Sequence, residues 1–361
     1  MIKFHSDITL QIDLGAIKHN YSLLAKMAKN SVCSAVAKAN AYGLGVDKVA
    51  NILYSAGCRN YFVATLDEAL ELAGILGPDS KIYVFHGVKP GEEDYFEKNG
   101  LIPVINDFYQ LETWATRARD QDLKLPAILH FDTGMNRLGF NWQDGETVAK
   151  HTSIRYLDIK YIMSHLVAAE DKSHSMNKQQ IGKVEQIKKH FPKIPVSLAN
   201  SWGIIAGDEF HYDMVRPGCA LYGVKGESKI DIKNVITAKA KVIQVRDITE
   251  NGFVGYGATK EIKKGARIAV CPLGYADGYL RSLSNNSYAY FGKYKLPLVG
   301  RVSMDLTIFD ISKVPTNEFR VGDELELIGE NYTVDDVANN AGTIGYEILT
   351  SLGNRYERVY R

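Results

Sequence analysis

From residue 31 to about residue 216, short apolar runs alternate with longer stretches in which apolar residues recur every three or four positions. The short runs are SVCSAVAKA (31–39), NYFVAT (60–65), KIYVFH (81–86), LIPVIN (101–106), PAILHFDT (126–133), LDIKYIMSHL (157–166), PVSLAN (195–200) and DMVRPG (213–218). Between them lie GVDKVANILYSAG, LDEALELAGIL, YQLETWATRARD and MNKQQIGKVEQIKKHF, whose spacing gathers the apolar positions on one helical face. Strands alternating with amphipathic helices predict a parallel sheet. Eight repeats over about 190 residues, after a leading helix GAIKHNYSLLAKMA (15–28), favour a (β/α)8 TIM-like barrel over a doubly wound sheet, which usually has fewer strands.

The pattern changes after about residue 230. AKAKVIQVRDI, GARIAVCPLGY, KLPLVGRVSMDLTIFDI and DELELIG read as alternating or buried strands separated by turn residues, and only TVDDVANNAGTIGYEILTSLGN is partly helical. The expectation is an α/β chain, with an N-terminal barrel over 1–230 followed by a C-terminal, mostly antiparallel β domain over 231–361. The opening ITLQIDL (8–14) is also strand-like and can pair with either domain.

Composition narrows the function. Lys and Arg number 43 against 42 Asp and Glu, a formal net charge of +1, so no basic excess points to nucleic acid or an acidic membrane. A small-molecule partner fits better. Cys33, Cys58, Cys219 and Cys271 show no CxxC spacing, which argues against a disulfide scaffold and a structural zinc site; no metal is called for. The first residues carry charges where a signal peptide needs an apolar core, and no apolar run approaches the ~18 residues of a membrane span. A cytoplasmic, reducing location is expected.

In a barrel of this kind, function gathers where the strands end. The first run ends in Lys38-Ala39-Asn40-Ala41-Tyr42-Gly43 and the fifth in Asp132-Thr133-Gly134-Met135-Asn136-Arg137. The sixth ends in Ser164-His165, the seventh in Asn200-Ser201 and the eighth in Arg216-Pro217-Gly218. Lys38 lies among small and apolar residues, where an unpaired ammonium is disfavoured, so a depressed pKa or covalent engagement is expected. Such a lysine suits Schiff-base chemistry with an aldehyde cofactor; from its position alone, a lysine extending from the rim into water is the better reading.

Nine blocks then carry a resemblance. They are AVAKANAYGLG (35–45), DTGMNRLGF (132–140), MSHLVAAED (163–171), LANS (198–201), MVRPGCALYG (214–223), VGYGAT (254–259), PLGYADGY (272–279), VGRVSMD (299–305) and GYEILTSLGNRYERVY (345–360). In this order, and across both expected domains, the chain resembles the alanine racemase family. The resemblance implies a pyridoxal 5'-phosphate enzyme, with barrel and β domain, that interconverts L- and D-alanine and supplies D-alanine for peptidoglycan. It further implies a homodimer in which the β domain of one subunit faces the barrel mouth of the other. A serine racemase or a racemase of broader specificity is the alternative within the same fold.

By that resemblance Lys38 is the cofactor-bearing base and Tyr256 the second base, supplied across the dimer. Two bases on opposite faces of a planar carbanion can remove and return the α-proton. Arg216 would face the pyridine nitrogen, and His165 would link it to the tyrosine, both cations favouring phenolate. Tyr42, Tyr346, Ser201 and the backbone of Gly218 and Cys219 would hold the phosphate. Arg137 and the Met304 N–H of the partner subunit, shaped by Asp305, would meet the substrate carboxylate, with Tyr275 at the entrance. The sequence departs from many relatives at two places. Leu44 stands where they carry histidine, and His130 where they carry a lysine that is often carbamylated. No carbamate is expected at His130; a bound anion such as chloride replaces it, or Arg137 is held differently.

Overall fold

The computed structural model describes residues 6–361. The chain divides into two compact units, one of residues 18–41 and 45–221, the other of residues up to 17, 42–44 and 222–361.

The first unit is the barrel. Its staves are Val32–Cys33 with Ala35–Val36, Asn60–Val63, Lys81–Val84, Ile102–Ile105, Leu125–Asp132, Leu157–Met163, Val196–Asn200 and Met214–Arg216. Each pairs in parallel with the next. The first stave is interrupted at Ser34. Its front half pairs with Met214–Arg216 and its back half with Asn60–Val63, and this split brings the two ends of the sheet together. A two-residue strand, Phe140–Asn141, adds to the outer end of the fifth stave. All four residues of Ile102–Ile105 are buried, as are the last three of Lys81–Val84, which is why these strands read as unbroken apolar runs. The helices Val46–Ser55, Leu66–Ala73, Phe108–Asp120 and Ser175–His190 fall where the spacing predicts them.

The second unit is built on a six-stranded sheet in the order Tyr294–Pro297, Tyr288–Phe291, Glu324–Ile328, Ile236–Lys241, Ile8–Ile12, Glu357–Tyr360. Ile8–Ile12 lies antiparallel to Ile236–Lys241 and parallel to Glu357–Tyr360, which decides the partner of the opening strand. Both Ile8–Ile12 and Ile236–Lys241 alternate buried with part-exposed residues, the pattern of a sheet packed on one face. A three-stranded antiparallel sheet joins Gln244–Asp247, Arg267–Cys271 and Thr307–Asp310, and Gly252–Val254 forms a hairpin with Lys260–Ile262.

Candidate active site

The first stave stops at Val36, earlier than its apolar run suggests, so Lys38 does not end a strand. It opens a left-handed turn instead: Ala39, Asn40, Ala41 and Tyr42 all have φ between 52° and 55°. For L-residues with a Cβ that conformation costs about 1–2 kcal/mol each. Local hydrogen bonds offset the cost. The Glu68 carboxylate accepts the Ala39 N–H at 2.7 Å through one oxygen and the Ala64 N–H at 2.7 Å through the other. Glu68 is itself fixed by a capping box with Thr65 at the start of Leu66–Ala73. Asn40 Oδ1 accepts the Val46 N–H at 2.7 Å, tying the far end of the turn to the next helix.

Lys38 is half-buried, and its amine is held below the ordinary lysine range. Burial is the main cause and the Arg137 charge the second, while Glu68 opposes both. Arg137 is exposed and lies five residues beyond the end of the fifth stave rather than on it. Asp132, the nearest acid in sequence, spends its carboxylate on the backbone: it accepts the N–H groups of Gly134, Met135 and Arg137 at 2.7, 2.9 and 3.0 Å. Among the described residues neither Lys38 nor the Arg137 guanidinium has an ion-pair partner. Arg137 is thus an uncompensated cation, suited to a carboxylate.

Arg216 is 2% exposed. Its Nη1 donates to Ser197 Oγ at 2.5 Å, and its Nη2 donates to the Ser164 carbonyl at 2.6 Å and to His165 Nδ1 at 3.4 Å. Nη2 also reaches the Leu198 carbonyl at 3.4 Å, while Nε and the second Nη1 hydrogen have no partner among the described residues, which leaves donors for a ring nitrogen. Arginine has no acceptor, so His165 accepts at Nδ1 and carries its hydrogen on Nε2. Burial and the charge of Arg216 hold His165 well below the usual histidine range. It is therefore neutral near neutral pH, whereas the sequence reading allowed for a cation at this position. Burial lowers Arg216 to about 9, so it stays charged near neutral pH.

Ser201 opens the short helix Ser201–Ala206. Its Oγ accepts the N–H of Gly218 at 2.9 Å and of Ala220 at 3.3 Å, which ties the loop after the seventh stave to the loop after the eighth. The serine's own proton remains available for an anion. Gly218 and Cys219 are buried in the same loop.

The remaining expected residues belong to the second unit. Tyr42 ends the left-handed turn with its ring stacked on Tyr222 at 4.6 Å, and Tyr346 is part-buried in the helix Gly345–Ser351. Tyr256 is 72% exposed at the tip of a hairpin. Gly255 and Gly257 on either side have φ of 69° and 73°, which lets the chain reverse around that side chain. Met304 is 53% exposed, and Asp305 accepts from Arg355 Nη1 at 2.7 Å. Arg355 also forks onto Asp277, which is fully buried, at 2.5 and 2.8 Å. The Tyr275 and Ala276 N–H groups donate to the carbonyls of Ser303 and Met304, so the Tyr275 loop and the Met304 turn are fixed together.

Reading the sequence left Glu68, Asn106 and Arg355 without a role. Thr65-Leu66-Asp67-Glu68 is a capping-box pattern, and it marks Glu68 as fixed but not what its second oxygen does. Asn106 ends the fourth run, where strand-end polarity flags it, and its Oδ1 lies 2.8 Å from Nδ1 of the buried His130. Arg355 carries no local signal, since its partners lie 50 and 78 residues away.

Residues 12–226 match the model for the alanine racemase N-terminal domain, and residues 235–360 match that for the alanine racemase C-terminal domain. The chain is 42% identical to the alanine racemase of Brucella abortus (strain 2308), with 97% of this chain and 93% of that protein covered. It is 41% identical to that of Rickettsia canadensis (strain McKiel), with 98% of each covered. The crystal structure of alanine racemase from Bartonella henselae with covalently bound pyridoxal phosphate superposes with a TM-score of 0.94 at 41% identity, covering 98% of this chain and 99% of that one. With a closed parallel barrel, a separate β unit and both domain models matched in order, the chain belongs to the alanine racemase family.

Proposed function

We propose that the protein interconverts L- and D-alanine, with pyridoxal 5'-phosphate as cofactor and Lys38 and Tyr256 as the two bases. The observation that carries the reading is the left-handed turn, which sets an amine of depressed pKa beside an uncompensated guanidinium. The donor set fits the cofactor. Lys38 would supply an amine for its aldehyde, Arg216 a free Nε–H for its ring nitrogen, and Ser201 a hydroxyl proton for its phosphate, with the backbone of Gly218 and Cys219 beside it; Tyr42 and Tyr346 are further phosphate ligands only as the family resemblance implies. When bound, the cofactor supplies an electron sink that acidifies the α-carbon of the amino acid.

The protein's own groups do the rest. Arg137 and the Met304 N–H of the partner subunit orient the substrate carboxylate, and within each chain Asp305 fixes the Met304 turn through Arg355. Lys38 exchanges a proton on one face of the α-carbon, and Tyr256 exchanges one on the other. Arg216 stays charged near neutral pH, so it would hold the cofactor ring as a hydrogen-bond donor. His165, neutral and with its hydrogen on Nε2, is a donor that can stabilise a phenolate.

Tyr256, Met304 and Tyr275, together with Phe253 and Leu306, expose apolar surface on the β unit, as an interface would. The proposal places this surface against the barrel mouth of a second copy, so that Tyr256 of the partner subunit completes each site. Among the described residues no helix is long and apolar enough to cross a membrane. A cytoplasmic enzyme supplying D-alanine to peptidoglycan is the corresponding cellular role.

The test is proton NMR of L-alanine with the cofactor-loaded protein in D2O, paired with chiral analysis and repeated with L-serine. Loss of the α-proton signal together with D-alanine is expected. Exchange without D-alanine shows that only one base works, and no exchange with bound cofactor refutes alanine as substrate. Faster conversion of serine moves the assignment to a serine racemase.

A further inference from the structure

We propose that Arg358 is a positioning residue for the phosphate end of the cofactor: its guanidinium fastens the loop that carries Tyr42 to the helix that carries Tyr346, and Tyr360 secures the same loop. This rests on the reading that those two tyrosines hold the phosphate.

The loop is closed at its base and held from outside at its tip. Asn40 closes the base: its carbonyl accepts the Gly45 N–H at 3.1 Å and its side chain the Val46 N–H at 2.7 Å. The residues between, Tyr42–Leu44, group with the second unit although the chain on either side belongs to the first. There the Gly43 carbonyl accepts from Arg358 Nη2 at 3.3 Å, and the Leu44 carbonyl from the Tyr360 hydroxyl at 3.0 Å. Leu44 is fully buried, so its carbonyl must find a donor within the protein. Both donors come from one strand. Arg358 and Tyr360 are two residues apart in Glu357–Tyr360 and so project to the same side of the sheet. Opposite them in register stand Leu10 and Ile12, both fully buried, which fix the strand.

Arg358 reaches the helix as well. Its Nη1 donates to the Gly353 carbonyl at 3.1 Å and its Nη2 to the Leu352 carbonyl at 3.1 Å. Leu352 and Gly353 directly follow the helix Gly345–Ser351, where carbonyls lack helical partners and a cation is favoured. Among the described residues Arg358 has no carboxylate partner, and its Nε–H is buried unpaired, so these three carbonyls alone hold the charge. Loop and helix touch closely. A Cβ on Gly43 would stand 2.6 Å from the Leu349 carbonyl oxygen, and Gly43 has a φ of 83°, so glycine is required there. Two hydroxyls on separate segments bind one phosphate well when their spacing is set beforehand, because ordering them on binding costs affinity. The guanidinium sets that spacing.

The experiment titrates the full chain, stripped of cofactor, with pyridoxal 5'-phosphate and with pyridoxal, which lacks the phosphate, following absorbance. Arg358→Met should weaken pyridoxal 5'-phosphate about tenfold and pyridoxal by less than about twofold. Arg358→Lys, which keeps a cation for the carbonyls, should recover part of the loss. Equal weakening of both ligands shows general loosening and overturns the proposal, as does weakening of neither. Tyr360→Phe removes only a hydroxyl and guards against a variant that fails to fold. In the holoprotein, amide exchange over 38–45 should quicken in Tyr360→Phe and Arg358→Met, with the stave Leu125–Asp132 unchanged. Unchanged exchange over 38–45 in both variants overturns the proposal too. Tyr42→Phe and Tyr346→Phe check the reading beneath it, since each should lose part of the preference for the phosphate ester. Preference lost in these two but parent-like in Arg358→Met sinks the inference alone. Preference kept in both sinks the reading of the tyrosines and takes the inference with it.

Discussion

At the scale of single residues, the mouth of the barrel is organised by charge left uncompensated and by histidines kept neutral. His130 and His165 bind protons near pH 6.5 in an unfolded chain, whereas in the folded protein His130 does so only near pH 3 and His165 well below 6.5. The unfolded state therefore takes up the extra protons. Stability is complete above about pH 6.5 and falls with acid, each histidine contributing about 1.4 kcal/mol per pH unit while the folded ring stays neutral. Replacing His130 by Gln removes one titrating group, so denaturant midpoints from pH 6.5 down to 4.5 should fall less steeply than in the parent. Equal slopes would mean that the His130 ring titrates in the folded protein. The Lys38 amine offers a second check. Arg137→Leu removes a cation that depresses it, so its pKa should rise, read as slower acetylation of Lys38 at a fixed pH near 8. Faster acetylation would show that Arg137 does not act on the amine.

At the scale of elements, the decisive piece is the left-handed turn between the first stave and the helix Val46–Ser55. Four successive non-glycine residues hold positive φ, a conformation that glycine adopts without penalty. Ala39→Gly should thus stabilise the native turn, an effect of about 1 kcal/mol reduced by the extra freedom of glycine in the unfolded chain. A denaturant midpoint that falls by a similar amount would show that Ala39 is not strained. Glu68 works from the other side. Its two oxygens serve the Ala39 and Ala64 N–H groups and its charge lifts the Lys38 pKa. Glu68→Gln should destabilise the fold by about 1 kcal/mol and lower the Lys38 pKa further, which speeds acetylation. A loss of stability with unchanged acetylation would separate the capping role from the electrostatic one.

At the scale of the whole molecule, the proposed site draws Lys38 from one subunit and Tyr256 from another. Two inactive variants, Lys38→Ala and Tyr256→Phe, test this when they are mixed and allowed to exchange subunits. A shared site gives each mixed dimer one intact pair of bases, so activity should recover to roughly a quarter of the parent level at equal mixing. If both bases came from the same subunit, every site would carry a lesion and no activity would return. The exposure of Tyr256 and Met304 on the β unit is the reason to expect recovery.

The barrel was legible because burial on both faces writes parallel strands as short apolar runs, and burial on one face writes the helices at a spacing of three to four. The β unit was legible through alternation and turn residues, and the family through nine blocks in order. Lys38, Arg216, Ser201 and His165 could be picked out because polar residues at strand ends stand out against those runs. Local pattern does not reach further. The strand Ile8–Ile12 pairs with segments more than 200 residues away, so only the folded chain chose between its two possible partners. The apolar run 31–39 does not reveal that the strand breaks off at Val36 and winds left-handed from Ala39, because the bonds that hold the turn come from Glu68 and Val46. The neutrality of His165 and His130 was likewise beyond the sequence. It is set by burial beside Arg216 and by hydrogen bonds that cross from stave to stave, and solvation and long-range partners exist only once the tertiary structure has formed.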